Sequence, residues 1–343
     1  MIYKNALFHN VAEIIDNGDG SISWSRVPDY VRSGMEGAGK GSVEYDSTGV
    51  EIRFVLKSGS AVIKMCTHEK SATDGVFHIY RGALQGGWDD HEIKKTVDGK
   101  VKDYVINNSN NIEHLRVMTK ECGYDWDPQV IRIIFDRGRF KIYDIVGDIE
   151  PPKPEQLLKK TLLSYGSSIT HGSNSIDMSH SWVSLLAHNL NMDAINLGMS
   201  GSCSIEPEMA EYIAAEGEKG NWDIATLELG INVLGWEEEK IINRVSNIIS
   251  VVASRNKDKP IFVISPFYHC GEHFHGAEST ARWRRVIEEV VNELNYPNVW
   301  YFNGFNILDN MSYISADEVH PNIRGVQRIA DVLTKQIKTI INS

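Results

Sequence analysis

TLLSYGSSIT, residues 161–170, is an apolar run of strand length that ends in a glycine and two serines. Four similar apolar runs follow: DAINLG at 193–198, IATLELG at 224–230, PIFVISP at 260–266 and NVWYF at 298–302. Between and after them the apolar residues change to a 3.6-residue period. Trp182, Leu185, Leu186 and Leu190 form one stripe, and Ile241, Ile242, Val245, Ile248, Ile249 and Val252 a second. Trp283, Val286, Ile287, Val290, Val291 and Leu294 form a third, and Val326, Ile329, Ala330, Leu333 and Ile337 a fourth. Short buried strands alternating with amphipathic helices predict an α/β domain of three layers, with a five-stranded parallel sheet covered on both faces. In such a sheet, ligands bind beyond the carboxyl ends of the strands.

Upstream the period is two. Val50, Ile52, Phe54 and Leu56, then Ala61, Ile63 and Met65, alternate within runs bounded by turn residues. Asp98-Gly99 and Arg137-Gly138 separate strand-like stretches and read as hairpin turns. Many short strands with almost no helical stripe predict an all-β jelly-roll or sandwich domain over residues 1–150. EPPKPEQ, residues 150–156, reads as a stiff extended linker, and the second domain then spans 157–343. A length of 343 residues accommodates both.

Composition narrows the function. Hydrophobic residues make up 42% and charged residues 24%, values of a folded globular protein. The net charge of -11 repels phosphate backbones and anionic lipid, so no nucleic-acid partner is expected. No run of about 18 apolar residues exists to span a membrane. The start, MIYKNALFHNVAEIIDNGDG, has neither the basic region nor the apolar core of a secretion signal, so a cytoplasmic location is expected. Cys66, Cys122, Cys203 and Cys270 form no CxxC pair, which argues against structural zinc and disulfides. Cys203 and Cys270 read either as reactive thiols or as small buried hydrophobes.

The candidate chemistry sits just past the strands, in GSSIT at 166–170, LGMSGS at 197–202 and GIN at 230–232, and just before the last helix, in DEVHPN at 317–322. A serine hydroxyl is a poor nucleophile until a base accepts its proton, and imidazole, with a solution pKa of about 6.5, suits that task. Ser168 is the candidate nucleophile and His320 the candidate base. Asp317, three residues earlier, is placed to bond the other ring nitrogen and stabilise the imidazolium. The tetrahedral oxyanion needs donors, each worth about 2.7 to 4 kcal/mol of barrier. The N–H of Ser168, the N–H of Gly201 and the amide of Asn232 are the candidates.

These four segments, in this order, resemble the four blocks of the SGNH, or GDSL, hydrolase superfamily over about residues 160–340. The resemblance implies Ser168 as nucleophile, Gly201 and Asn232 as oxyanion donors, and Asp317 and His320 as the remaining triad, on a flavodoxin-like fold that needs no cofactor. The sequence departs from the general pattern at Ser167, where the GDS form has Asp, and at Val233, where many members have Asp. The first departure resembles a branch whose block reads YGSSIT or YGTSIT, often behind a β-sandwich. That layout is similar to a class of carbohydrate acetyl esterases, which implies a short acyl ester, on an oligosaccharide or small molecule, as substrate. Acyl transfer to an alcohol is the enzymatic alternative. A non-catalytic carbohydrate-binding protein with a degenerate SGNH domain is the other.

Plainer readings stand beside these. Ser168 is otherwise a turn serine, Gly201 a turn glycine, Asn232 a helix cap, and Asp317 a cap of the last helix. The loop FYHCGEHFHG, residues 267–276, holds His269, Cys270, His273 and His275. It reads as a substrate-lining lid, a surface loop or a metal site, though its spacing fits no standard site, and no metal is expected. GMEGAGKG, residues 34–41, nearly spells a phosphate-binding loop, but Gly41 stands where Ser or Thr is required and no strand leads into it. Trp24, Trp88 and Trp126 read as core or as sugar-stacking residues, with no site assigned. The oligomeric state is not legible.

Overall fold

In the computed structural model, which describes residues 1–71, 74–87, 94–274 and 277–342, the two periodicities become two units. The first comprises Met1–Pro28 and Tyr45–Lys159; the second comprises Asp29–Glu44 and Lys160–Ser343. Trp88 and His275 lie outside the described residues.

The first unit is antiparallel, but it is not the all-β domain expected, since residues between β9 and β10 form a helix, α2 (Ile112–Glu121). Its strands are β1 (Ile2–Tyr3), β2 (Ala6–His9), β3 (Glu13–Asp16), β4 (Ile22–Ser25), β5 (Glu51–Thr67), β6 (Gly75–Arg81), β7 (Leu84–Gln85), β8 (Lys94–Val97), β9 (Lys102–Asn107), β10 (Val130–Phe135) and β11 (Phe140–Glu150). The long β5 is the shared strand. Its first half pairs with β2 and β10 and its second half with β9, while β11 runs along it from Thr67 to Val55. In the exposed stretch Lys57–Ser60 between the halves, the register with β11 shifts. Trp24, Phe54, Phe77, Phe135 and Phe140 lie in the core of this unit, each almost wholly buried. Burying a side chain of that size contributes about 1.5–3 kcal/mol. Trp126 is core as well, covered by the guanidinium groups of Arg53 and Arg132.

Both expected hairpins are corrected. Asp98-Gly99 connects β8, which pairs with β6, to β9, which pairs with β5. Arg137-Gly138 connects β10 and β11, which flank β5 on opposite sides. The turns reverse the chain, but β5 and β6 supply longer partners than the neighbouring arms do. Residues 150–156 also differ from a free extended linker. Pro154–Gln156 form a 3₁₀ turn, and Leu157 and Leu158 pack against Val55, Trp126 and Val130 of the first unit.

The second unit holds β12 (Thr161–Gly166), β13 (Asp193–Gly198), β14 (Ile224–Glu228), β15 (Ile261–Ile264) and β16 (Val299–Phe302). All pair in parallel, in the order β13-β12-β14-β15-β16. The four helical stripes become α4 (Trp182–Asn189), α6 (Glu238–Arg255), α7 (Ala277–Leu294) and α9 (Ile323–Ile341), joined by α5 (Pro207–Glu218) and the short α8 (Gly304–Ile307). α4 packs with α9, while α6 packs with α5 and α7. Because β12 lies between β13 and β14, the chain leaves the end of β12 with strand ends on both sides of it. That is where the connections diverge, the place at which such sheets take ligands. No described helix is long and apolar enough to cross a membrane.

One segment falls on the other side of the expected boundary. Residues 29–44, placed by periodicity in the β domain, belong to the second unit. α1 (Asp29–Gly34) packs on α5, and the backbone N–H of Glu36 donates to Glu206 Oε1 at 3.0 Å. Arg244 and Lys240 of α6 hold the Glu36 carboxylate at 2.6 and 3.3 Å. The cause is polar anchoring, which a two-residue period cannot encode.

Candidate active site

Ser168 opens the four-residue helix α3 (Ser168–His171) directly after β12. The turn forms because Ser167 is extended and its Oγ accepts the N–H of Ile169 at 3.1 Å, capping the helix. Gly172, with φ of 90°, ends it one turn later. The Ser168 hydroxyl lies 2.8 Å from His320 Nε2, and His320 Nδ1 lies 2.9 Å from Asp317 Oδ2. A carboxylate facing Nδ1 makes that nitrogen the donor and leaves Nε2 to accept the serine proton.

Asp317 is fixed by its own turn. Its Oδ1 accepts the N–H of Val319 at 3.1 Å and of His320 at 2.9 Å, while Asn174 Nδ2 donates to Oδ2 at 2.6 Å. Partial burial pushes the carboxyl up, but these donors together with the imidazole outweigh it and hold the pKa down to about 2. The helix-cap alternative for Asp317 is removed: Asn322 caps α9, accepting from Arg324 and Gly325.

Gly201 and Asn232 lie past the ends of β13 and β14, the two neighbours of β12. Asn232 sits inside a 3₁₀ turn, Ile231–Val233, whose N-cap is Gly230, so it is not the cap its type suggested. Its Oδ1 accepts the N–H of Cys203 at 3.1 Å, which fixes the amide with its NH₂ on the other side. Val233 is wholly buried, so an apolar core position follows the asparagine.

The glycine-rich run 34–41 has a structural cause after all. Ala38 N–H donates to Gly201 O at 3.1 Å, and Gly39 N–H to Ser202 Oγ at 2.8 Å. A Cβ on Gly39 would stand 2.4 Å from Ser200 O, and one on Gly37 2.7 Å from Gly201 O. Only glycine lets this backbone lie against the Gly201 loop.

In the histidine-rich loop one ring is held inward and another is exposed, His269 and His273 respectively. His269 is buried, its Nδ1 accepting from Gly271 N–H at 3.1 Å and its Nε2 facing Thr280 Oγ1 at 3.1 Å. His273 Nε2 is bonded to the Tyr268 hydroxyl. Arg284 ties the loop down, donating to the carbonyls of Pro266 and Phe267 and to Glu272. The N–H of Cys270 reaches Glu318 O at 2.8 Å, so this loop braces the turn that carries His320. Cys203 is 1% exposed, and burial, followed by the charge of Glu228, pushes its thiol well above the usual range. It is the small buried hydrophobe of the two readings.

Sequence reasoning did not find Asn174 or the 36–39 segment. Asn174 carries a weak signal, an asparagine that tolerates its φ of 63°, but nothing in its neighbourhood points to residue 317.

Residues 159–338 match the GDSL-like lipase/acylhydrolase family model. The chain belongs to that family. Its chemistry is ester hydrolysis or acyl transfer. No curated protein sequence matches the chain. Among solved structures, a salicylyl-acyltransferase from a tetracycline biosynthetic pathway is similar with a TM-score of 0.77 at 14% identity, covering 98% of this chain and 95% of that one. A putative GDSL-like lipase from Bacteroides ovatus gives 0.67 at 18% identity and 98% of both chains. A family two carbohydrate esterase from Cellvibrio japonicus gives 0.66 at 12% identity, covering 99% of this chain and 96% of that one. At these identities the likeness establishes the two-unit fold of this GDSL-like member.

Proposed function

We propose that the protein is a serine esterase that removes a short acyl group, acetyl foremost, from a carbohydrate. The observation that carries the reading is the continuous relay from Ser168 Oγ through His320 to Asp317, at 2.8 and 2.9 Å. His320 Nε2 takes the hydroxyl proton as Ser168 Oγ attacks the ester carbonyl. Asp317 stays ionised and balances the imidazolium that results. The carbonyl oxygen, now an anion, is received by the N–H groups of Ser168 and Gly201 and by the Asn232 amide. The tetrahedral adduct collapses, His320 returns the proton to the departing alcohol, and water repeats the sequence on the acyl-enzyme. No step calls for a cofactor.

Carbohydrate as the alcohol part is supported by the full-length likeness to family two carbohydrate esterases, one of which, from Clostridium thermocellum, was solved with cellohexaose. The likeness to a salicylyl-acyltransferase over 98% of this chain favours a second reading, transfer of the acyl group to another alcohol. An acyl-enzyme shielded from water partitions toward whichever nucleophile occupies the site.

The test is hydrolysis of p-nitrophenyl acetate, butyrate and octanoate, with acetylated xylan alongside, by wild type and Ser168→Ala. Short-chain activity abolished in the variant is the expected result. Activity unchanged in Ser168→Ala removes the relay from the reaction. No hydrolysis by folded protein, with acyl transfer once an alcohol acceptor is added, selects the second reading.

A further inference from the structure

Glu228, the last residue of β14, is wholly buried. Tyr165 on β12 pairs with Leu227 on β14, which brings Gly166 beside Glu228. Three donors converge on one oxygen of this carboxyl. The N–H and the Oγ of Ser167 each reach Oε2 at 2.7 Å, and Thr170 Oγ1 reaches it at 3.0 Å. The other oxygen, Oε1, has no hydrogen-bond partner among the described residues. Gly166 makes room for the approach, since a Cβ there would stand 2.6 Å from Oε2.

The bonded residues bracket Ser168, one immediately before it and one two residues after it. We propose that Glu228 is the positioning residue of the nucleophile turn, gripping Ser167 and Thr170 from the neighbouring strand so that the Ser168 hydroxyl faces His320. This rests on the reading of Ser168 as nucleophile. It also explains why Ser167 replaces the aspartate of the GDS form: the carboxyl here comes from β14, and the residue before the nucleophile donates to it instead of carrying it. A carboxyl in an apolar sheet is costly unless its bonds are good. Burial pushes its pKa up and the Ser167 and Thr170 donors pull it back, to about 7. An apolar residue would fill the same space without that cost, so the carboxyl is there for what it holds.

The chemistry is sensitive to such support, because a misplacement of about 1 Å lowers turnover by about 100-fold. The experiment compares Ser167→Ala, Glu228→Gln and Glu228→Leu with wild type and Ser168→Ala. Thermal melting establishes folding, and kcat and KM on p-nitrophenyl acetate are expressed per site labelled by a fluorophosphonate, except in Ser168→Ala, which has no hydroxyl to label and is expressed per total protein. Expected values are a kcat about tenfold lower in Ser167→Ala and in Glu228→Gln, and about 100-fold lower in Glu228→Leu, with KM within about twofold of wild type. Gln retains an oxygen for the three donors, so it should rescue part of what Leu loses. A purely structural role instead lowers the melting temperature and leaves kcat per labelled site unchanged, which overturns the inference. If the Glu228 variants do not fold, Ser167→Ala decides by the same criterion. Loss in Ser168→Ala with wild-type kcat in Ser167→Ala and Glu228→Gln overturns this inference alone, whereas activity retained in Ser168→Ala overturns it together with the functional reading.

Discussion

Asn174 Nδ2 donates to Asp317 Oδ2 at 2.6 Å, the same oxygen that faces His320 Nδ1 at 2.9 Å. The side chain of an asparagine past the Ser168 turn thus steadies the carboxylate that faces the His320 imidazole, the base of the proposed mechanism. Asp317 keeps two backbone donors without it. Asn174→Ala is therefore expected to lower kcat by about three- to tenfold with little change in KM, a loss of about one hydrogen bond to a partly exposed charge. Steady-state kinetics on a short-chain ester measures this. A fall as large as that of Asp317→Asn, on the order of 10⁴-fold by analogy with other triads, contradicts a supporting role.

The Asn232 amide is fixed through Cys203 N–H, and the Gly201 loop through Ala38 N–H. With Asn232 as the proposed oxyanion donor, Asn232→Ala is expected to lower kcat by about 10²–10³-fold with the melting temperature nearly unchanged. Gly39→Ala forces a Cβ toward Ser200 O and is expected to lower both kcat and the melting temperature. Wild-type kcat in Gly39→Ala would separate the 36–39 segment from any role of the Gly201 loop in turnover.

Glu228 makes stability depend on pH in a definite direction. Its carboxyl has an ordinary value of 4.5 when unfolded, and burial, partly offset by the Ser167 and Thr170 donors, raises it to about 7 in the fold. Between those values the unfolded chain has released a proton that the folded chain retains. Its contribution to stability therefore falls as pH rises from about 4.5 to about 7, by on the order of 3 kcal/mol, and is flat above. Glu228→Gln does not titrate. Urea unfolding at pH 5 and pH 8 should show the variant gaining on wild type at the higher pH, and a difference independent of pH contradicts the assignment.

Thiol chemistry should leave the enzyme untouched. Cys203 and Cys66 are buried, with their thiols pushed up chiefly by burial, while Cys122 is exposed. Iodoacetamide on native protein is expected to modify Cys122 before Cys203 without loss of activity. Peptide mapping alongside an activity assay reads this directly. Inactivation that tracks labelling of Cys203 returns that thiol to the list of nucleophiles.

Ser168, Gly201, Asn232, Asp317 and His320 were legible as candidates because each lies next to a strand or helix that its own neighbours announce. Glu228 was not, since a single acidic residue ending an apolar strand looks like the strand's exit to solvent. Gly37 and Gly39 looked like a failed phosphate loop because what requires them, the backbone at Ser200–Ser202, is about 160 residues away in the chain. Asp98-Gly99 and Arg137-Gly138 have the residues of hairpin turns, yet their arms pair elsewhere. Turn propensity is local, whereas a strand's partner is chosen by competition among all available edges.

What the sequence by itself determined is the alternation of buried and exposed residues, and with it the sandwich, the parallel sheet and the strand ends where chemistry could sit. What only the tertiary structure decided is the order β13-β12-β14, which sets Gly201 and Asn232 on either side of Ser168, and the return of residues 29–44 to the second unit. The physical reason is the range of the forces recorded in each. Periodicity states that a side chain must leave water, a requirement met residue by residue. Which backbone it then lies against is settled by packing and hydrogen bonding among groups far apart in the chain, and no local pattern contains that choice.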